Sequence, residues 1–462
     1  MVLANIIDAQ PHIVLSSIFL SLQSHVDHPA TSLLLLIGGA LCAFILSYLL
    51  NFAVASLCRK YNILRKPEPG RAPDTVTRLG GVGIYVAFVI SALIFYIHNG
   101  DLQSKELTIF WLFLAAATLI VLVHAYDDVR PMKPLPKLIA QTLAVVIIMG
   151  PYLNGHFNGV LLFGFSNPFQ TLSCGTLHWC QDPTVNIFIY DTTIRWLALP
   201  AVLFTWFWMV GMMNAVNLTD GLDGLAGGIV AITAIFIMIT SWLLHQYTIA
   251  VLAGIFAGAV FGFLPHNWNP ARMYMGDSGS QFLGLALAVL SIMGGAKVAL
   301  AFMVLGVPIL DVAVVMINRV RRGQSPVHYD KTHLHYRLQS TGLSVRQICY
   351  LFYSLTIFFG ILALLFDHIL KLIGIAVVVI VMGSLIYWVD TRHRARGVKI
   401  KIDNSDPTPS GSGNALTPPQ DAPSVPETPA ASDDIPDHDI DSTRTPTPRE
   451  TLTPSTEKSY IP

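Results

Sequence analysis

Long apolar runs alternate with short polar, charge-bearing intervals along most of this chain. A membrane-spanning helix needs about 20 mostly apolar residues. That window predicts eleven spans, at 31–57, 79–97, 107–125, 135–153, 195–213, 222–243, 247–265, 279–295, 297–318, 347–367 and 369–389. Runs this long exceed a barrel strand, and only helices or closed barrels satisfy the backbone in lipid. The predicted fold class is therefore an all-α polytopic membrane protein with about eleven transmembrane helices. The loosest boundaries are in the glycine-rich runs and in the ninth, which Pro308 interrupts. The apolar stretch from Ile13 to Leu22 has no basic region before it, so no cleavable signal peptide is expected.

Composition agrees with a bilayer as solvent. Of 462 residues, 53% are hydrophobic and 12% charged, against about 25% charged in an ordinary soluble domain. Net charge is zero, which removes a global case for a nucleic-acid partner. Charge placement then orients the chain. With the loop after the first span inside, 21 of the 28 Lys and Arg residues fall on the cytoplasmic side, 4 on the other, and the rest in the distal tail. By the positive-inside rule the N-terminus is outside and the C-terminus cytoplasmic. Residues 1–30 read as an external segment and 31–390 as the transmembrane domain. Residues 391–462 form a cytoplasmic basic segment with a Pro/Thr-rich tail. That tail has little to bury and reads as disordered. The five cysteines form no CxxC pair, which disfavours a zinc or redox site. Cys174 and Cys180 lie in an external loop at 154–194, where a disulfide and two free thiols both stay open.

Four polar clusters fall on the cytoplasmic side. In HAYDDVRPMKPLPK, Asp127 and Asp128 end the third span. Adjacent carboxylates raise each other's pKa unless a cation neutralises them. Their side chains would diverge by about 100° on a helix, so one can face a metal while the other orients a lysine or a substrate proton. Lys133 and Lys137 suit a phosphate or lipid headgroup, or simply a positive-inside anchor. In NAVNLTDGLDGLAGG, Asn217, Asp220 and Asp223 are three apart and would share one helix face. A helix cap explains one of these acids but not both, and acids beside an apolar span are usually functional. In PHNWNPARMYMGDSGSQFLG, Asp277 opens the eighth span. A GDSG sequence alone suggests a serine protease, but the membrane setting favours a magnesium ligand. Magnesium takes one or two protein carboxylates with water and phosphate oxygens. Asn267 and Arg272 are nucleotide or phosphate contacts, or plain structural residues. In HYDKTHLHYRL, His328, Asp330 and Lys331 join His333, His335 and Arg337. This group suits a diphosphate better than zinc, which has no evident third ligand.

A metal site, phosphate-binding cations and a membrane surface together suit phosphoryl transfer, which is mainly positioning and charge neutralisation. No GxxxxGK[ST] loop is present, which disfavours an ATPase.

At these clusters, over roughly residues 31 to 390, the sequence resembles the polyprenyl-phosphate N-acetylhexosamine 1-phosphate transferases. An Asp-Asp pair, NLTDGLDGLA and MGDSGS at this spacing carry the resemblance. HLHYRL looks like the His-x-His-His loop of the glycan-initiating branch rather than the His-His-His-Phe of the peptidoglycan branch. The resemblance implies a magnesium-dependent transferase, with manganese as a substitute. It would move N-acetylglucosamine 1-phosphate from a UDP-sugar to undecaprenyl phosphate in a bacterial inner membrane, and a homodimer stays open. It implies Asp277 as the main metal ligand with Asp220, and Asp127, Asp128 and Asp223 as catalytic. Asn217, Asp220, Asn267, His333 and His335 would contact substrate, with Lys133, Lys137 and Arg337 as cations. Two departures stand out. Tyr336 replaces the third His, and APDTVTRLGG departs from a PxPRxGG loop at Ala72, Thr75 and Thr77 while matching at Arg78, Gly80 and Gly81. The rivals are the muramoyl-pentapeptide transferase, an ion-coupled transporter and an inactive scaffold. A transporter would place its acids near the midplane.

Overall fold

The computed structural model describes residues 29–61, 63, 76–99, 102–153, 156–162, 164–166, 184–186, 199–293, 298–321, 323, 333–365 and 368–395. The expectations for residues 1–28, for the tail from 396, and for Ala72, Thr75, Cys174, Cys180, His328, Asp330 and Lys331 lie outside them.

Among the described residues, each predicted apolar run falls mainly on helix. The helices are α1 (Pro29–Lys60), α2 (Gly80–Ser91), α3 (Ser104–Val129), α4 (Pro134–Met149), α5 (Leu199–Thr219), α6 (Leu225–Leu243) and α7 (Tyr247–Asn267). They continue with α8 (Gly276–Met293), α9 (Val298–Val304), α10 (Gly306–Arg321), α11 (Leu334–Ser340), α12 (Val345–Leu365) and α13 (His368–Ala395). A π-helical turn at Ala92–Tyr96 extends α2. Among the described residues seven of them, α1, α3, α5, α6, α7, α8 and α12, are long and apolar enough to cross a membrane. α2 with its π-turn, α4 and a stretch of α13 are apolar but shorter.

Two expectations need correction. The ninth run is not one helix: it breaks between α9 and α10 at Leu305. Pro308 lies in the first turn of α10, where its missing N–H costs nothing. The all-α expectation also did not anticipate four short strands, which among the described residues lie between α4 and α5 of an otherwise helical chain. Tyr152–Leu153 (β1) pairs antiparallel with His156–Phe157 (β2), and Gly164–Ser166 (β3) with Thr184–Asn186 (β4).

α8 is the hub. It packs against α2, α3, α5, α6 and α9, and residues Ser278 to Ile292 are all buried. α7, equally enclosed, is clasped by α1 and α6. Outward faces stay apolar, as at Leu34 and Leu41 of α1, Leu122 of α3, Ile139 of α4 and Phe207 of α5. An apolar exterior over a buried, partly polar interior is what lipid requires.

The approach of α2 and the residues before it to the start of α8 is closed by backbone. Thr77 bridges Met273 in parallel. Tyr274 N–H donates to the Thr77 carbonyl at 2.8 Å, and Gly81 N–H to the Met275 carbonyl at 2.8 Å. A side chain at Gly81 would run into the backbone of Ser278 and Gly279. The matching Arg78-Leu79-Gly80-Gly81 segment is therefore seated against the residues that open α8.

Candidate active site at the mouth of α8

α3 ends with two acids, α8 begins with one, and a lysine from α4 lies between. Lys137 Nζ is 2.6 Å from Asp127 Oδ2 and 2.8 Å from Asp277 Oδ2. Asp127 Oδ1 also accepts the Met132 N–H at 2.6 Å, which ties the α3–α4 turn to the site. The second oxygen of Asp277 accepts the Asn217 amide from the last turn of α5 at 3.2 Å. Asn217 also donates to Ser280 Oγ at 2.8 Å. Four helices thus converge on one ammonium and two carboxylates.

Asp127 and Asp128 diverge as helical geometry predicts, and they do different things. Asp128 reaches across to the start of α8. Its Oδ1 accepts Asp277 N–H at 2.8 Å, and its Oδ2 accepts Ser278 N–H at 3.0 Å and Ser278 Oγ–H at 2.7 Å. The first N–H groups of a helix have no partner within it, and a carboxylate there also meets the positive end of the helix dipole. Asp128 acts as a cap supplied by another helix. It is 7% exposed, whereas the Asp277 side chain is 30% exposed and open to a ligand.

The expected helical face of Asn217, Asp220 and Asp223 is not what forms. α5 stops at Thr219, and residues 220–224 turn before α6. Gly224 adopts φ +82°, a left-handed conformation that glycine tolerates and other residues resist. Asn217 consequently faces Asp277, while Asp223 turns into the protein. Asp223 Oδ2 accepts the Asn269 amide at 3.0 Å and Ala271 N–H at 3.1 Å. Asp220 lies half-buried on the turn itself. Asn267 braces the same turn, accepting Gly224 N–H at 2.9 Å and donating to the Met273 carbonyl at 2.9 Å. Asn267 and Asp223, each 2% exposed, fasten the turn to the segment leading into α8.

The histidine loop closes on this turn from the other side. His335 packs against Gly221 so closely that a Cβ there would overlap its ring. His333 and His335 stack with centroids 5.8 Å apart. Asp311 of α10, which the sequence reading did not single out, holds the loop: its Oδ2 pairs with His333 Nδ1 at 3.0 Å, and its Oδ1 accepts Leu334 N–H at 2.8 Å. His333 Nε2 is buried and has no hydrogen-bond partner among the described residues. Burial pulls the Arg337 guanidinium below its ordinary pKa, and Asp311 opposes that shift. Lys133 immediately precedes α4, makes no side-chain capping bond and is exposed to solvent, and Arg272 is likewise exposed. The signal that would have found Asp311 is an acid inside an apolar run. Ser278 and Ser280, which tie Asp128 and Asn217 to α8, had no such signal.

Hard oxygen donors dominate the mouth of α8, and Lys137 already fills a cation's place between two of them. Among the described residues no three His, Cys, Asp or Glu side chains gather as a metal-holding group. A divalent ion would therefore rest on one or two carboxylates, Asp277 foremost, and take its other ligands from phosphate and water. That is magnesium's habit, so the residues fit it.

The glycosyl transferase family 4 model matches residues 110–295, which carry α3 through α8 and three of the four clusters. A probable undecaprenyl-phosphate N-acetylglucosaminyl 1-phosphate transferase of Bacillus subtilis is 28% identical over 335 residues, covering 70% of this chain and 83% of that protein. A decaprenyl-phosphate N-acetylglucosaminephosphotransferase of Mycolicibacterium smegmatis is 35% identical, over 40% of this chain and 53% of that protein. A phospho-N-acetylmuramoyl-pentapeptide-transferase of Halalkalibacterium halodurans is 36% identical, over 37% of this chain and 51% of that protein. The chain thus spans most of the Bacillus relative and about half of the other two. The Asp-Asp pair, the Asn217 turn and the Asp277 helix start all lie inside the stretch over which the chain is similar to glycosyl transferase family 4.

Proposed function

We propose that the protein transfers N-acetylglucosamine 1-phosphate from UDP-N-acetylglucosamine to a polyprenyl phosphate, releasing UMP. The observation that carries this reading is the Asp127–Lys137–Asp277 bridge at the start of a buried helix. The coverage of the Bacillus relative supports it. On this reading eleven spans cross a bacterial inner membrane with the site at the cytoplasmic face, as the distribution of Lys and Arg supports.

A lipid phosphate oxygen attacks the sugar-linked phosphorus of the donor. The new P–O bond forms as the bond to the UMP phosphate oxygen breaks, and UMP leaves with that oxygen's electron pair. Charges balance without a proton if the lipid phosphate arrives as the dianion. If it arrives as the monoanion, Asp127 takes its proton. Magnesium, held by Asp277 with Asp220 nearby, would supply charge neutralisation at the diphosphate. Lys137 is pre-placed to turn one of its N–H groups from a carboxylate to an incoming phosphate. The His333–His335 loop and Arg337 face the donor diphosphate, and Asp223 and Asn267 keep the nucleotide turn in shape.

The test is UMP release by purified protein in detergent, with undecaprenyl phosphate and magnesium and either of two donors. Release from UDP-N-acetylglucosamine alone is expected. Release only from UDP-N-acetylmuramoyl-pentapeptide would transfer the protein to the activity named in the Halalkalibacterium relative, and release from neither would reject both.

Asp311 offers a second test. Asp311→Asn keeps an oxygen for Leu334 N–H but weakens the pairing that orients His333. Turnover is expected to fall by about tenfold, the scale on which small misplacements of a reacting group act. Unchanged kcat/KM for the UDP donor would remove His333 from the chemistry.

A further inference from the structure

Beneath the charged site lies a second polar layer built on three of its four helices, α4, α5 and α8. Gln141 follows Lys137 by four residues on α4, Gln281 follows Asp277 by four on α8, and Asn214 precedes Asn217 by three on α5. Each amide is thus about one helical turn, roughly 4.5–6 Å, farther into the bundle than its charged or polar partner. The amides bond to one another. Gln141 Nε2 donates to Gln281 Oε1 at 2.8 Å and to Asn214 Oδ1 at 3.3 Å. Asn214 Nδ2 returns a bond to Gln141 Oε1 at 3.2 Å and donates to the Val210 carbonyl at 2.8 Å. Gln141 and Gln281 are each 2% exposed.

We propose that Gln141, Asn214 and Gln281 are positioning residues, a neutral layer that fixes how α4, α5 and α8 face one another and so sets the Lys137–Asp277–Asn217 geometry. The inference rests on the proposed transferase reading. Its physical basis is local. Polar groups inside an apolar bundle are costly unless paired, and interhelical amide bonds hold register where lipid offers no competing partner. A carboxamide carries no charge, so the layer constrains the site without shifting its electrostatic balance. α4 most needs such a hold. Exposed on one face at Leu138, Ile139 and Leu143, it carries the ammonium shared between two carboxylates.

The experiment compares full-length wild type with Gln141→Met and Gln281→Met, which keep length and remove the amide, and with Gln141→Asn, which keeps the amide and shortens its reach. Steady-state UMP release and thermal unfolding are measured in detergent. Lysines are also reductively 13C-methylated, and the Lys137 signal is assigned by its loss in Lys137→Arg. The expected result is a fall in kcat of about tenfold or more in all three variants. KM for the UDP donor stays within about twofold, unfolding is little changed, and the Lys137 methyl signal moves. Unchanged kcat would overturn the proposal. So would a rate loss that merely tracks a lower unfolding temperature while the Lys137 signal stays put, since that is a structural role alone. If the wild type releases UMP from no UDP donor, the transferase reading fails, and the Lys137 signal still decides whether the amide layer sets the site.

Discussion

Asp277→Asn is expected to cut UMP release by about a thousandfold, with no recovery at saturating magnesium. Two effects combine. A metal polarising a phosphoryl oxygen supplies several kcal/mol of transition-state stabilisation, and about 4 kcal/mol corresponds to roughly a thousandfold in rate. The substitution also changes the pairing at the mouth of α8. Asp277 presents one oxygen to the Asn217 amide and the other to Lys137 Nζ. An amide keeps an acceptor for Asn217 but turns a donor toward the Lys137 ammonium, and Lys137 is then left to Asp127 alone. Because the side chain is 30% exposed, the protein should tolerate the change and unfold at close to the wild-type temperature. Normal turnover at saturating magnesium would mean that Asp277 does not hold the metal.

Much of the helical framework was legible because the relevant signal is simple. A long apolar run needs no partner to be recognised, so the runs that became α1, α3, α6 and α7 could be placed within a few residues. What failed depended on contacts. The break at Leu305 lies within an apolar stretch, where periodicity and composition do not distinguish one helix from two. The strands at 152–153, 156–157, 164–166 and 184–186 are two or three residues long, too short for alternation to register. At the site, charges at the ends of apolar runs pointed to Asp127, Asp128, Lys137 and Asp277, which the fold brings into one bonded cluster. The assumption that spacing by three implies a helix misplaced Asp223, because Gly224 lets the chain turn first. Asp311 carried the same signal as Asp277 but stood alone in its run, with no neighbouring polar residue to mark it. Gln141, Asn214 and Gln281 are uncharged and scattered over 140 residues of sequence, so their meeting becomes visible only when α4, α5 and α8 are packed.

Asp128→Ala is expected to damage the protein in a different way, lowering stability together with activity. Three donors at the start of α8 end on this carboxylate, and two of them are helix N–H groups with no partner inside their own helix. Removing the acceptor leaves these donors buried and unpaired, and takes a negative charge from the positive end of the helix dipole. Caps and charged hydrogen bonds of this kind contribute about 3 kcal/mol together, a large fraction of the margin by which most proteins stay folded. The unfolding temperature should fall by several degrees, and turnover should fall with it because Asp277 is the first acidic residue of the loosened helix. Ser278→Ala separates the parts: it deletes one donor and leaves the two N–H groups capped, for about 1 kcal/mol and near-normal turnover. Thermal unfolding in detergent beside UMP release measures both. If Asp128→Ala lost activity while unfolding at the wild-type temperature, the carboxylate would belong to the reaction itself, and the start of α8 would be held by something other than this cap.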